Sequence, residues 1–589
     1  MAPFNPRLFI KRYWYPLAAG ALIACGVAAR LALTLIGWPH ANSEEGTMGL
    51  EAMHILLRGE HPIYLYGQNY MGVGEAYAGA LAFRIFGISV ASLRLGMIAF
   101  YALFMVGVFW LADLLYSRRV ALASLAVLVL GTPFLGQIEL RADGGKAETM
   151  AFGALMFALA SWLALTPPAE QPWRGRRAPR CAAYAAWGLL AGLGLYTYTV
   201  IAPFVLTSGL LIGLACWRER RGWAWALPVV GLLIGLLPDI IHTARTPYAD
   251  NPIAVFLSLH QSLNAGGPSS SSLLPKQVVG TLLYTLPAVT GLTQLYPVEA
   301  LPLYGPRSGA TWTAVIIGGG WSLAYLVLLG LATYHSLRAL RQRWPLRRTD
   351  MHPASGAPAG GTTPSAAMSP LAARDGARGA ARLLLALTAW LTIAAYMFSA
   401  TAANNPHSGR YMIGLLVITP AILWPLLDRA PRLQGAKTGP AARPWDAIAG
   451  GTVKVAGVAL VCVGLALGVI RVAQDVPEAV AANGRDARLA HDLLSHGVTR
   501  FYSEYWTCDL LMFETRERLI CAVVNDYAQP GLTRYHPYYL AVRADKNAPY
   551  VLSRGSTYER TFLIHAAQTH QTYSLERIDG RDVYFPTPT

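Results

Sequence analysis

Apolar runs of roughly 18 to 25 residues recur between basic clusters along this chain, and each is long enough to cross a hydrocarbon core of about 30 Å. Nothing else in the sequence constrains the fold so strongly, because backbone polar groups inside a bilayer must be satisfied within helices or closed barrels. Eleven spans are predicted, at 15–38, 90–116, 120–138, 148–166, 182–199, 201–217, 222–241, 312–335, 382–400, 411–427 and 447–470. Leu273–Leu295 reads as an interfacial or re-entrant segment packed on protein. The first span is too long for a signal h-region and lacks a small-residue cleavage site, so it reads as a retained helix. With 54% hydrophobic and 14% charged residues over 589 positions, the expected class is an all-α polytopic membrane protein.

An odd number of spans puts the two ends on opposite sides. With the N-terminus cytoplasmic, the cytoplasmic joints carry Arg118 and Arg119, then Arg174 to Arg180, Arg218 to Arg221, Arg338 to Arg382 and Arg429 to Arg443. Every one is basic, as the positive-inside rule requires. The net charge of +16 is thereby explained by topology, and nucleic acid is not an expected partner, since no basic stripe with interleaved aromatics accompanies it. The opposite joints are acidic or mixed and lie on the outer side.

Four regions follow. Residues 1–335 form a membrane module with large outer loops, and 336–381, rich in Ala, Gly, Pro and Ser, read as a disordered cytoplasmic linker. Residues 382–474 carry the last spans. Residues 475–589 read as a soluble periplasmic α/β domain, with alternating helical and strand patterns such as "VTRFYSEYW", "CDLLMFETRE", "RLICAVV" and "APYVLSRG". Of the six cysteines, only Cys508 and Cys521 fall in this tail, and an oxidising compartment would allow them to pair. The tail's Tyr502, Tyr505, Trp506, Tyr535, Tyr538 and Tyr539 suit either core packing or stacking on sugars.

Chemistry concentrates in the outer loops. Glu44 and Glu45 stand side by side just beyond the first span, ahead of the amphipathic stretches "MGLEAMHILL" and "GEAYAGALAFRIFG", which have the pattern of helices lying along a membrane surface. The short loop "ELRADGGKA" brings Glu139, Arg141, Asp143 and Lys146 to the same face, with Glu148 entering the next helix. Each charge alone is also compatible with a solvated loop or with salt bridging at a helix end. "LLPDIIHTARTPY" puts Asp239 and His242 at that face, and "TAANNPHSGRYM" adds His407, Arg410 and Tyr411. Arg410 is suited to bidentate contact with phosphate. A divalent metal is the one cofactor left open, with Asp239 and His242 as candidate ligands but no HExxH-type motif.

This constellation resembles the GT-C superfamily of membrane glycosyltransferases that use polyprenyl-phosphate sugars, in the bacterial branch related to protein O-mannosyltransferases and aminoarabinose transferases. The resemblance rests on the acidic pair Glu44-Glu45, on "LRGEHPIYLYGQNYMGVGEAY", on "FGISVASLRL" with Arg94, on Asp143 and on Arg410-Tyr411. It spans about residues 10 to 430. The family usually has Asp first in the pair; Glu44 adds a methylene and can serve the same acid–base chemistry from a backbone set slightly farther away. The resemblance implies an inverting transfer of a sugar from a polyprenyl-phosphate donor to a lipid, glycan or protein acceptor at the periplasmic face, with lipid A, surface polysaccharide and wall polymers among the acceptors. It implies Glu44, Asp143 and Glu45 as catalytic carboxylates. Arg141, Lys146, Arg410, Tyr411, Gln68, Tyr70, Glu75 and His242 become substrate contacts. A transporter or flippase of lipid-linked glycans and an O-antigen ligase or polymerase are the competing readings. The charges cluster at outer helix ends and not in mid-helix, and no internal repeat is visible, both of which count against a transporter.

Overall fold

The computed structural model describes residues 6–587 apart from 167–176, 218, 220–222, 249–250, 256, 259–269, 293–294, 344–369, 429–443, 526 and 528. Helices occupy all eleven predicted spans. Seven helices among the described residues are long and apolar enough to cross a membrane, and up to nine qualify if each of two bent pairs, Arg118–Leu130 with Pro133–Leu140 and Trp223–Gly235 with Leu237–Arg245, is one span. The spans expected at 182–199 and 201–217 form Arg177–Thr197 and a shorter apolar helix, Thr199–Ala215. Large side chains such as Tyr101, Phe104, Phe157, Tyr184 and Phe204 fill the centre of the bundle. The chain is a multi-pass helical membrane protein with a small C-terminal sheet.

One charge in the first helix is buried on purpose. Arg30, 4% exposed, donates to Glu139 at 3.0 and 2.8 Å and to the Leu128 carbonyl at 3.0 Å. Its guanidinium also sits 4.7 Å from the centre of the Tyr101 ring. A cation at that depth persists only when paired and fully hydrogen-bonded, so Glu139 is a structural partner here.

The segment expected to be re-entrant is helical from Ser270–Gly280 through a wide turn at Thr281–Thr285 to Leu286–Thr290, and Tyr284, Leu286 and Val289 are buried against protein. Of the expected linker, 344–369 lies outside the described residues; its flanks are helical, within Gly319–Arg343 and Pro370–Met397. The last helix runs unbroken from Pro444 to Ser495, so the boundary expected near Asp475 falls inside one helix.

The tail is a five-stranded sheet: β1 (Arg500–Ser503), β2 (Ile520–Val523), β3 (Tyr550–Ser553), β4 (Tyr573–Ile578) and β5 (Arg581–Pro586), in the order β2-β1-β3-β5-β4. β1 runs parallel to β2 and β3, while β5 is antiparallel to both β3 and β4. Helices Tyr505–Glu514, His536–Arg543 and Thr557–Thr569 accompany it, and Cys508 is bonded to Cys521, joining the first of these helices to β2.

That same helix is seated on the first outer loop. The stretch behind the acidic pair forms Ser43–Arg58, started by Asn42, whose side chain accepts from the Glu45 amide, and ended at Gly59. A Cβ at Gly46 would lie 2.5 Å from the Asp509 carbonyl carbon and the Leu510 nitrogen, and one at Gly49 would strike the Phe513 ring. The two glycines therefore allow the helices to touch backbone to backbone. Ser43 donates to the Tyr505 carbonyl at 2.6 Å and Thr47 to Asp509 at 2.5 Å. Ser43–Arg58 is thus covered by the tail and does not lie open along a membrane surface, unlike Gly74–Phe86, whose Leu81, Ile85 and Phe86 are exposed.

Candidate active site

Adjacent residues of a helix point about 100° apart, and the acidic pair is split accordingly. Glu45 turns inward and accepts from Arg94 through both carboxylate oxygens, at 2.7 and 2.6 Å, with both residues no more than 1% exposed. This bidentate pair occupies Glu45 fully, which makes it a fixing point for the helix and not a free base. Glu44 turns the other way, into a cavity of about 580 Å³. Its nearest cation there is Arg410, at 3.7 Å.

The second wall is the "RADGGK" loop. Gly144 and Gly145 hold positive φ values of 103° and 70°, a reversal that side-chain-bearing residues resist, and it brings Lys146 back to within 2.6 Å of Asp143. Both line the cavity. Glu75 stands behind the loop, wholly buried, and accepts from the Gly144 amide at 2.9 Å. Burial, together with Glu148 and Asp143 nearby, pushes the Glu75 carboxyl well above the usual range. Arg141 also reaches the cavity while donating to the His40 carbonyl at 2.8 and 3.2 Å, and burial lowers its pKa.

The third wall carries His407, Ser408 and Arg410. His407 is held by the Tyr284 hydroxyl at 2.7 Å, and the Arg410 guanidinium lies 5.3 Å from the centre of the Tyr411 ring. Tyr411 supports Arg410 without lining the cavity itself. Gln68 and Tyr70 are likewise outside it. The Gln68 amide, with its oxygen turned to the Arg534 guanidinium, accepts from it at 2.9 and 3.2 Å, so this residue ties the loop to the tail. Asp239 and His242 sit elsewhere, around Tyr64: Asp239 accepts the Tyr64 hydroxyl, and His242 stands edge-on to the ring at 4.8 Å. No third His, Cys, Asp or Glu joins them among the described residues, leaving the pair short of the three or four protein ligands of a zinc site.

Three contributors to the cavity come from the end of the chain: Arg471 and Asp475, ion-paired at 3.2 Å on the last helix, and Trp506 from the tail. Trp506 is 60% exposed, the one member of the predicted aromatic group that faces this space. The sequence signals were modest: two charges directly beyond the last span, and an aromatic cluster with no preferred role. Thr132 is shared between the charged cavity and an apolar cleft lined by Leu128, Leu135, Trp321, Tyr325 and Leu416, with no charged residue among its described walls.

No protein-family model matches the sequence, and no curated protein matches it. Solved structures do resemble it. ArnT from Cupriavidus metallidurans bound to undecaprenyl phosphate aligns with a TM-score of 0.51 at 14% identity, over 96% of this chain and 97% of that one. The Archaeoglobus fulgidus oligosaccharyltransferase tethered with an acceptor peptide containing the NVT sequon aligns with a TM-score of 0.50 at 12% identity, over 98% of this chain and 75% of the other. The chain shares the fold of these two structures over nearly its full length.

Proposed function

We propose that this protein is an inverting glycosyltransferase that moves a sugar from a polyprenyl-phosphate donor to an acceptor hydroxyl at the periplasmic face of a bacterial inner membrane. The observation that carries the reading is Glu44, a carboxylate turned into a cavity with Arg141, Lys146, Arg410 and Arg471 on its walls, beside an apolar cleft that meets the cavity at Thr132. The cleft suits an isoprenoid chain and the cations suit the phosphate that joins it to the sugar. The resemblance to ArnT, which was solved with undecaprenyl phosphate, supports the same donor class.

The chemistry follows from these positions. Glu44 takes the proton of the acceptor hydroxyl, whose oxygen forms a bond to the anomeric carbon. The bond from that carbon to the phosphate oxygen breaks, and the electron pair leaves on the phosphate, where guanidinium and ammonium groups stabilise it. A single displacement inverts the anomeric centre. Asp143, held by Lys146, fixes the ammonium near the phosphate and adds negative charge where the sugar carbon becomes electron-poor.

The test is release of polyprenyl phosphate by the purified chain from a panel of polyprenyl-phosphate sugars, with membrane-extract acceptors. Glu44→Gln and Asp143→Asn are each expected to lower turnover by at least about 100-fold, the scale of general acid–base catalysis. Wild-type rates in both variants, or no consumption of any donor, would defeat the proposal.

A further inference from the structure

A second cavity, of about 360 Å³, lies where four segments meet: the end of the first helix at Thr34, the loop from Ile88 to Ala91, Asn483 on the last helix, and Phe513 to Arg516 of the tail. Its polar walls are incompletely used. Thr34 is 3% exposed, yet its hydroxyl has no hydrogen-bond partner, and one carboxylate oxygen of Glu514 is buried without one. Arg516 is exposed, and its guanidinium donates to the Ile88 carbonyl at 3.3 Å. Arg94 also borders the space, but its charge is consumed by Glu45.

The surroundings select the guest. Burial, with Asp486 and Glu45 nearby, pushes the Glu514 carboxyl up to about 7, so the negative potential at that end favours a cation. The Arg516 guanidinium, on the same lining, is available to an anion. Within three residues of the lining positions in the chain, Leu35 and Ile36 on one side and Ile85 and Phe86 on the other are exposed apolar side chains at 70, 53, 64 and 65%, as lipid-facing residues would be. A ligand with an ammonium group, a phosphate and two hydrocarbon tails matches all three demands.

We propose that this cavity binds the headgroup of an amine-bearing zwitterionic phospholipid, with its ammonium donating to Glu514 and the Thr34 hydroxyl and its phosphate accepting from Arg516. The choline analogue keeps the charge but carries three methyl groups in place of the N–H donors, which makes it the discriminating control. The site is separate from the charged cavity, and the proposal stands whatever reaction that cavity performs.

The experiment is native mass spectrometry of the full chain after exposure to mixed micelles of phosphatidylethanolamine, phosphatidylcholine or phosphatidylglycerol. The wild type is expected to retain phosphatidylethanolamine about tenfold more than phosphatidylcholine, the scale of a charge-assisted hydrogen bond. Glu514→Gln should remove that preference without lowering retention of phosphatidylglycerol, and Arg516→Gln should lower retention of all three. Equal retention of the ethanolamine and choline lipids by the wild type would overturn the proposal without reference to any variant. Unchanged ethanolamine preference in a folded Glu514→Gln would overturn it as well.

Discussion

Glu44 and Glu45 have the same side chain, one residue apart, and the fold gives them opposite work. Glu45 is dry and locked to Arg94 by two short hydrogen bonds, whereas Glu44 faces the cavity with its closest cation at 3.7 Å. Removing one partner of a buried pair strands the other charge, at a cost of about 3–5 kcal/mol. Arg94→Ala should therefore lower unfolding stability by about that amount in a thermal or denaturant melt, while Glu44→Gln should melt like the wild type. Of the residues singled out in the sequence, Glu44, Asp143, Lys146, Arg141 and Arg410 line one cavity, while Glu45 does not. What no local pattern reveals is which carboxylate looks inward, because that depends on Arg94, 49 residues away. Gln68 and Glu75 show the same limit. Both lie in the motif-bearing stretch, yet one holds Arg534 and the other holds the Gly144 amide.

The contact between Ser43–Arg58 and Tyr505–Glu514 depends on the absence of a side chain at Gly46. The atoms that a methyl group would meet there are backbone, which cannot swing aside. Gly46→Ala should therefore cost about 1–3 kcal/mol as overpacking, and faster amide exchange across 505–514 would report it. The same interface titrates. Burial raises Glu517, but hydrogen bonds with His54, Tyr538 and Arg58 outweigh it and hold the carboxyl at about 2, down from 4.5. Its contribution to docking is complete above pH 4.5 and fades as pH falls toward 2. Asp509 has the opposite sign: burial raises it from 3.8 to about 6 against the Thr47 hydrogen bond and Arg534, so its docked form takes up a proton and docking weakens as pH rises from 3.8 to 6. Exchange protection of 505–514 measured against pH should fall on both flanks, with Asp509→Asn abolishing only the upper one. Most tail elements were legible because helical and alternating patterns follow one another cleanly. His536–Arg543 was not, since "HPYYLAVR" opens on a proline within a run of aromatics. The change in hydropathy near Asp475 carries no break in the helix, because a helix needs no apolar side chains to continue.

At the scale of the molecule, the tail is a fixed part of the membrane body. The bond between Cys508 and Cys521 clips the docking helix to its sheet across 13 residues. Cys521→Ser should lower tail stability by about 2–4 kcal/mol, the usual worth of such a link, seen as an earlier melting transition that reducing agent reproduces in the wild type. The helical body was read correctly from apolar runs, although among the described residues seven helices, or nine if each bent pair is one span, are long and apolar enough to cross, against eleven expected. The contacts of Thr47 and Ser43 with the tail join residues 462 positions apart, and Arg471, Asp475 and Trp506 complete a cavity begun by Glu44. A ribosome adding about 5–20 residues per second needs roughly 25 to 90 s between those two events. Once Arg94 has been added, the newborn chain has the Glu45–Arg94 pair within reach long before this wall exists, so a product cut short of residue 471 keeps Glu44 but lacks the side of the cavity that Arg471, Asp475 and Trp506 supply.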